Sequence, residues 1–251
     1  MTGAAAELTG SATGREAGGA FGVGPIRLLV DAGSGLPQYD MDWAASTLAR
    51  LRQPGATGVL RIHRPRPTAA FSRRDSLAAG FPAAVDSAQA HGFEPVVRPA
   101  GGRLAAYHRG AVVLDLVARH PEPRRHYRER FQVFGGCLAE ALTGLGVDAR
   151  VGPVPGEYCP GEFSVSAAGA TKLAGTAQRL TAHGYLFSTV LLVGDPEPVR
   201  EVLRDTYPLL GLDWRPSTVG CVADHSPAVT VDEVIGALRL ALARLLPLGS
   251  G

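Results

Sequence analysis

Strand-like segments in this chain come in neighbouring pairs, not singly between helices, and that spacing decides the kind of sheet it can build. Residues 162–166 and 171–180 alternate at period two around the turn signal Ala168-Gly169, and a long apolar run over 184–193 follows directly. Residues 105–107 and 111–117 form a second pair around His108-Arg109-Gly110. Antiparallel strands accept such short connections, whereas parallel neighbours need a long crossover. Further strands are expected over 57–63, 67–71, 94–98 and 147–151. Helical spacing marks residues 39–53, where Met41, Ala44, Ala45, Leu48 and Leu51 recur before Pro54-Gly55. It also marks 81–90, 124–145, 196–205 and 231–246. With helices between groups of strands, the expected class is α+β: a mixed, largely antiparallel sheet with helices packed on it.

A chain of 251 residues is sized for one domain. Residues 1–24, rich in Ala, Gly and Thr, read as a disordered tail, and 25–251 as a single domain. The tail has no apolar core of a secretory signal, and no run reaches membrane-span length. A net charge of +2 gives no general attraction to nucleic acid or membrane. Three cysteines without metal spacing suit a reducing, cytoplasmic setting.

Within that frame one residue type is nearly missing. The chain uses 24 arginines and one lysine, Lys172. Arginine serves wherever charge alone is needed, but only an ammonium is compact and able to trade a proton, so Lys172 is a candidate for chemistry. Counting by two along its strand puts Lys172, Ala174, Thr176 and Gln178 on one face, small and polar like a pocket floor. Upstream, Cys159 lies in the polar segment 157-EYCPGE-162, where packing does not call for a thiol. If Pro160-Gly161 folds the chain back, Cys159 meets Lys172, which offsets Glu157 and Glu162 and favours a thiolate nucleophile. Cys137 and Cys221 have apolar neighbours and read as core. In 98-RPAGG-102, the glycines let backbone N–H groups approach a ligand, and Arg98 can bind an anion. The pair Arg73-Arg74 is either an anion-steering site or a solvated turn.

Together, 96-VVRPAGGRLAAYHRGAVVLDLV-117, 172-KLAGTAQR-179 and 185-YLFSTVLLV-193 resemble the lipoate-protein ligase and octanoyltransferase superfamily, which shares its fold with biotin-protein ligases. The resemblance runs from about residue 40 to 246 and implies a biotin/lipoate ligase-like catalytic domain. It implies that Lys172 contacts the acyl group, and that Arg98, Gly101, Gly102, Gly175, Thr176 and Ala177 line the pocket for the fatty chain. Adenylating ligases of the superfamily carry a third glycine in the loop and an Asn-Asp pair before the lysine. Here Arg103 takes the glycine position, and the chain has no asparagine. The cysteine-dependent amidotransferase branch fits better, with Cys159 as nucleophile. The implied activity is attachment of an octanoyl or lipoyl group to a lysine of a lipoyl-carrier domain through a Cys159 thioester. An acyl-carrier protein or acylated carrier domain would be the donor, and no cofactor is expected. The alternatives are an ATP-dependent lipoate ligase using ATP and Mg, with Lys172 on the adenylate, and a non-catalytic acyl- or carrier-binding protein on the same fold.

Overall fold

A computed structural model describes residues 19–22, 24–33 and 35–249. Its strands are β1 (Ile26–Asp31), β2 (Gly58–His63), β3 (Thr68–Phe71), β4 (Glu94–Val97), β5 (Ala105–Tyr107), β6 (Ala111–Arg119), β7 (Ala149–Val151), β8 (Val165–Ala167), β9 (Thr171–Leu180), β10 (Gly184–Leu192) and β11 (Leu248–Gly249). Its α-helices are α1 (Pro37–Arg50), α2 (Phe81–Ala90), α3 (Tyr127–Thr143), α4 (Glu197–Leu209) and α5 (Val231–Leu245).

Eight strands form one sheet in the order β11-β1-β2-β6-β10-β9-β8-β7, and β4-β3-β5 form a second. Only β1 with β2 and β11, and β3 with β4, run parallel, so the expected α+β class with a largely antiparallel sheet is what the chain builds. The helices start where the chain offers proline or a capping hydroxyl. Pro37, Pro82 and Pro198 stand at first-turn positions, where the missing N–H costs nothing. Thr230 and Glu233 form a reciprocal capping box on α5.

The large sheet buries both faces. On one, Phe131, Phe134 and Leu138 of α3 and Val234, Leu238 and Leu242 of α5 cover Leu60, Ile62, Leu114 and Phe187. On the other lie α1 and the small sheet, the latter backed by α2 and α4. The register carries two rows of side chains across this second face: Arg61, Asp115, Ser188, Ala177 and, next to it, His63, Val113, Val190, Gly175. Two charged residues and a histidine thus sit among apolar neighbours.

The structure corrects three expectations. Residues 105–107 and 111–117 are not partners: β5 pairs with β3, while β6 lies between β2 and β10 in the other sheet. His108-Arg109-Gly110 therefore steps between sheets, held by the Val193 and Gly194 N–H groups on the Gly110 carbonyl. The tail reading is too long as well. Gly19–Phe21 form a helical turn, Ala20 and Phe21 are buried in the core, and Tyr185 Oη donates to the Phe21 carbonyl at 2.9 Å. Residues 1–18 lie outside the described residues. Finally, the first strand of the 162–180 hairpin is only β8, because residues 157–164 coil into a tight loop tied by Glu157 and Ser164.

Candidate active site

The lone lysine sits on β9, and a bulge aims it. Ser166 pairs with Lys172 but Val165 pairs with Ala174, so Leu173 is an extra residue on β9. Counting by two would leave Lys172 on the face of Ala174, Thr176 and Gln178. The bulge moves it to the face of Gly175 and Ala177 instead. Ala174 packs in the helix-side core, and Gln178 accepts from Arg130 Nε at 2.8 Å there. Gly175 makes room for the lysine stem, since a Cβ there would stand 3.1 Å from Lys172 Cε and 3.4 Å from Nζ.

The ammonium is buried and fully engaged. Lys172 Nζ donates to the Tyr158 carbonyl at 3.0 Å and the Cys159 carbonyl at 2.8 Å, and lies 2.8 Å from Glu157 Oε2. An ammonium has three N–H donors, and three acceptors meet it. It also stands 4.8 Å from the Tyr158 ring centroid, within reach of a cation–π contact. A planar guanidinium cannot converge three donors on one compact point, which is a physical reason for lysine where the chain otherwise uses arginine. Glu157 is buried too; it accepts from the Val154 and Gly161 N–H groups and from Ser164 Oγ. Unpaired charges at this depth would cost several kcal/mol, and each answers the other.

These bonds hold the loop that presents Cys159. Its backbone has φ +41°, a conformation non-glycine residues rarely adopt. Besides Lys172 on its carbonyl, its N–H donates at 2.7 Å to Tyr207 Oη, which donates to the Leu104 carbonyl at 2.8 Å. Sγ accepts from the Arg103 N–H at 3.2 Å and from Arg98 Nη2 at 3.5 Å. Burial alone would push this thiol up. The Arg98 guanidinium, then the Lys172 ammonium and the Arg103 N–H, outweigh it and hold the thiol below its ordinary range. The other cysteines go the opposite way: burial pushes Cys137 up to about 12 and Cys221 up to about 11.

Gly101 and Gly102 have different tasks. A Cβ on Gly101 would touch nothing within 4 Å, whereas at Gly102 it would stand 2.6 Å from Arg98 Nη2 and 2.9 Å from Cys159 Sγ, at φ +101°. Gly102 is what lets the loop close on the thiol. Arg98 also donates to the Arg103 carbonyl at 2.5 Å, and its buried Nε has no hydrogen-bond partner among the described residues.

Beside the thiol opens a cavity of about 290 Å³ between the sheets. All eight residues singled out in the sequence, Cys159, Lys172, Arg98, Gly101, Gly102, Gly175, Thr176 and Ala177, line it. Met41 and Ala44 of α1, Tyr107 of β5, and Asp115, Ser188 and Val190 of the large sheet line it as well. Outside, a shallower groove is lined by Arg73, Arg74, Arg103 and Arg179. The 71–75 arginines thus belong to a basic rim, and Asp75 holds their turn by accepting from the Ser72 N–H and from Arg103. Among the described residues, no three His, Cys, Asp or Glu side chains are grouped to hold a metal, and no helix is long and apolar enough to cross a membrane.

Sequence reasoning missed Glu157 as the lysine's partner, having set it against the thiolate, and it missed Tyr207, Tyr107, Asp115 and Ser188. Asp115 carried a readable signal, a carboxylate inside 111-AVVLDLV-117. Tyr207 carried none, lying 48 residues from the cysteine on α4.

Comparison with known proteins places the architecture. A family model described as the lipoyl protein ligase A/B catalytic domain matches residues 37–243. The octanoyl-[GcvH]:protein N-octanoyltransferase of Exiguobacterium sibiricum is 30% identical over 131 residues, covering 49% of this chain and 45% of its own length. The protein of the same description from Geobacillus kaustophilus is 26% identical over 127 residues, covering 50% and 44%. The matched stretch is thus less than half of either relative. Among solved structures, a lipoate-protein ligase A bound with ATP is similar with a TM-score of 0.71 at 18% identity, over 90% of this chain and 88% of that one. A bi-partite lipoate protein ligase from Thermoplasma acidophilum gives 0.68 at 22%, over 90% and 86%. With the family model covering most of the chain, this protein belongs to the lipoyl protein ligase A/B catalytic domain family.

Proposed function

We propose that this protein transfers an octanoyl or lipoyl group to a lysine of a lipoyl-carrier domain through a thioester on Cys159. The observation that carries the reading is the cradle around that thiol: two cationic side chains and a backbone N–H hold its charge at the mouth of a mostly apolar cavity. In the first step the Cys159 thiolate attacks the carbonyl of a thioester donor. The Sγ–C bond forms, the donor's C–S bond breaks, and the donor leaves as a thiolate that takes a proton. In the second, the acceptor lysine's neutral amine attacks the acyl-Cys159 carbonyl, the amide forms, Cys159 leaves again as thiolate, and the amine gives up its extra proton. A thiolate stabilised below its ordinary range is more populated at neutral pH, and a better leaving group, than that of an ordinary cysteine. Lys172, with all three donors engaged, acts through its field and by fixing the Cys159 carbonyl; shuttling a proton would require it to release a partner. Arg98 Nη2 and the Arg103 N–H, the donors already on Sγ, are the groups at hand for the oxygen that gains charge.

The donor we infer is an acyl-carrier protein or an acylated carrier domain, and the setting is the cytoplasm. The basic rim of Arg73, Arg74, Arg103 and Arg179 suits an anionic partner. The same rim is what favours the second reading, a ligase that uses ATP and Mg, because arginines also hold phosphates. One experiment separates them. Incubated with an octanoyl-carrier donor and no ATP, the protein should gain one octanoyl mass, lose it to hydroxylamine, and gain none as Cys159→Ala. Transfer that needs ATP and survives Cys159→Ala establishes the ligase.

A further inference from the structure

The groove outside the cavity is charged with one sign. Arg73, Arg74, Arg103 and Arg179 line it together with Arg98, and none of its lining residues is acidic. A chain with a net charge of only +2 thus gathers five arginines on one patch. Two apolar side chains stand in the same groove, Val97 at 45% exposure and Leu77 at 81%, the most exposed large hydrophobic side chain among the described residues. The turn that presents Leu77 is braced from behind. Its buried Asp75 accepts from the Ser72 N–H and hydroxyl and pairs with Arg103 at 3.2 Å. Arg103 also donates its backbone N–H to Cys159 Sγ at 3.2 Å, so one residue joins the turn to the thiol. Residues 98–102 and Pro160 line both the groove and the cavity and form the wall between them.

We propose that this groove is the docking surface for the donor's carrier. An acidic face of an acyl-carrier protein sits on the arginines, an apolar residue at its centre covers Leu77 and Val97, and its thioester arm crosses the 98–102 loop to Cys159. This rests on reading Cys159 as the thiol that takes the acyl group. Charge selects the occupant. The acceptor brings a lysine, an ammonium until it gives up its proton, and five guanidinium groups repel it, whereas they attract an acidic carrier. Chemistry narrows the choice further. An acylated carrier domain holds its acyl group as an amide on lysine, while the first step above starts from a thioester. A single exposed leucine needs no explanation on a protein surface. Leu77 differs in its setting: it shares a groove with Val97 and with arginines, a residue type enriched in interfaces, and its turn is already ordered before a partner arrives.

The test compares octanoyl-acyl-carrier protein with octanoyl-pantetheine, which offer the same thioester with and without the carrier. Intact mass reads the rate of acyl-Cys159 formation. Leu77→Asp, a change at an exposed position, should slow acylation from the carrier roughly tenfold or more and leave acylation from octanoyl-pantetheine within about twofold. Arg73→Glu combined with Arg74→Glu should also slow the carrier route, and added salt should slow that route in the unmodified protein more than in this variant. Equal slowing of both donors by Leu77→Asp, no slowing of either, or a carrier route indifferent to salt overturns the proposal. Calorimetric titration of the carrier onto Cys159→Ala, with and without Leu77→Asp, reads docking apart from chemistry. Docking that Leu77→Asp weakens, with no acyl-Cys159 from either donor, sinks the thioester and leaves the surface standing. An adduct from octanoyl-pantetheine, with carrier binding untouched by Leu77→Asp, does the reverse. If binding of an acylated lipoyl domain depends on Leu77 and binding of the acyl-carrier protein does not, the occupant named here is wrong.

Discussion

At the scale of single residues, the site is a set of close approaches that one extra carbon would break. Gly102 is the sharpest case. Its Cβ would collide with both Arg98 Nη2 and Cys159 Sγ, and its φ of +101° disfavours any side chain. Gly101, one residue earlier, has open space where its Cβ would go. The resemblance to acyl-transferring proteins treats both glycines as walls of the pocket, but only the second holds the thiolate's donors in place. We expect Gly102→Ala to move the midpoint of Cys159 alkylation by iodoacetamide upward by about one pH unit or more, toward an ordinary thiol, and Gly101→Ala to leave it unchanged. Circular dichroism of both variants checks the fold. Equal midpoints in the two variants would mean that the loop relaxes around the new methyl and that its closeness to Sγ does not set the thiol's charge.

Elements show how a local irregularity chooses which face does chemistry. The bulge at Leu173 turns Lys172 toward Gly175 and lets Leu173 and Ala174 pack in the core. Strand geometry at Gly175 accepts any side chain, and valine is a better strand former than glycine. Gly175→Val should nevertheless lower thermal stability as well as cut acyl transfer by about a hundredfold or more, because its branches would occupy the path of the Lys172 stem and leave Glu157 buried without its partner. A variant with full activity would show that the lysine can reach its three acceptors by another route. The bulge also explains what could be read from the chain and what could not. Long strands such as β9 and β10, and helices bounded by Pro-Gly or His91-Gly92, announce themselves by period and punctuation. Period-two counting cannot see a bulge, so it put Lys172 with Thr176 and Gln178. His108-Arg109-Gly110 looks like a hairpin because short loops usually are, yet it crosses between sheets, and only the pairing of β5 with β3 reveals that. Strand β1 escaped notice because it pairs parallel to distant segments, β2 and β11, with no local partner to mark it. Cys159 and Lys172 were individually visible from composition and turn chemistry. Glu157 and Tyr207, which complete their surroundings, depend on burial and on a helix far along the chain.

At the scale of the whole molecule, the buried row beneath the cavity ties stability to pH through two groups that pull in opposite directions. His63 is pushed down to about 4, first by burial and then by the Arg61 charge, against Asp40 and Asp31. Asp115 is pushed up to about 6, chiefly by burial. Between pH 4 and 6 the unfolded chain protonates its histidine and ionises its aspartate, while the folded protein does the reverse. For His63 the unfolded state binds more protons, so stability rises with pH across this window; for Asp115 the folded state binds more, so stability falls. Each shift is roughly two pK units, worth about 3 kcal/mol, and the two slopes largely cancel. We therefore expect the intact protein to owe little pH dependence between 4 and 6 to this pair. Asp115→Asn should unmask the histidine, giving a stability that climbs by up to about 3 kcal/mol as pH rises from 4 to 6.5. His63→Gln should unmask the aspartate, giving a stability that falls by a similar amount from pH 4 to 6. Urea unfolding of the three proteins at half-unit pH steps measures all of this, and taking each variant's slope relative to the intact protein removes the contribution of Asp31, whose carboxyl the Arg61 hydrogen bond holds low in all three. Parallel pH profiles for the three proteins would show that the folded protein does not keep its proton on Asp115 in preference to His63, and the floor of the cavity would then carry a different charge from the one its geometry gives it.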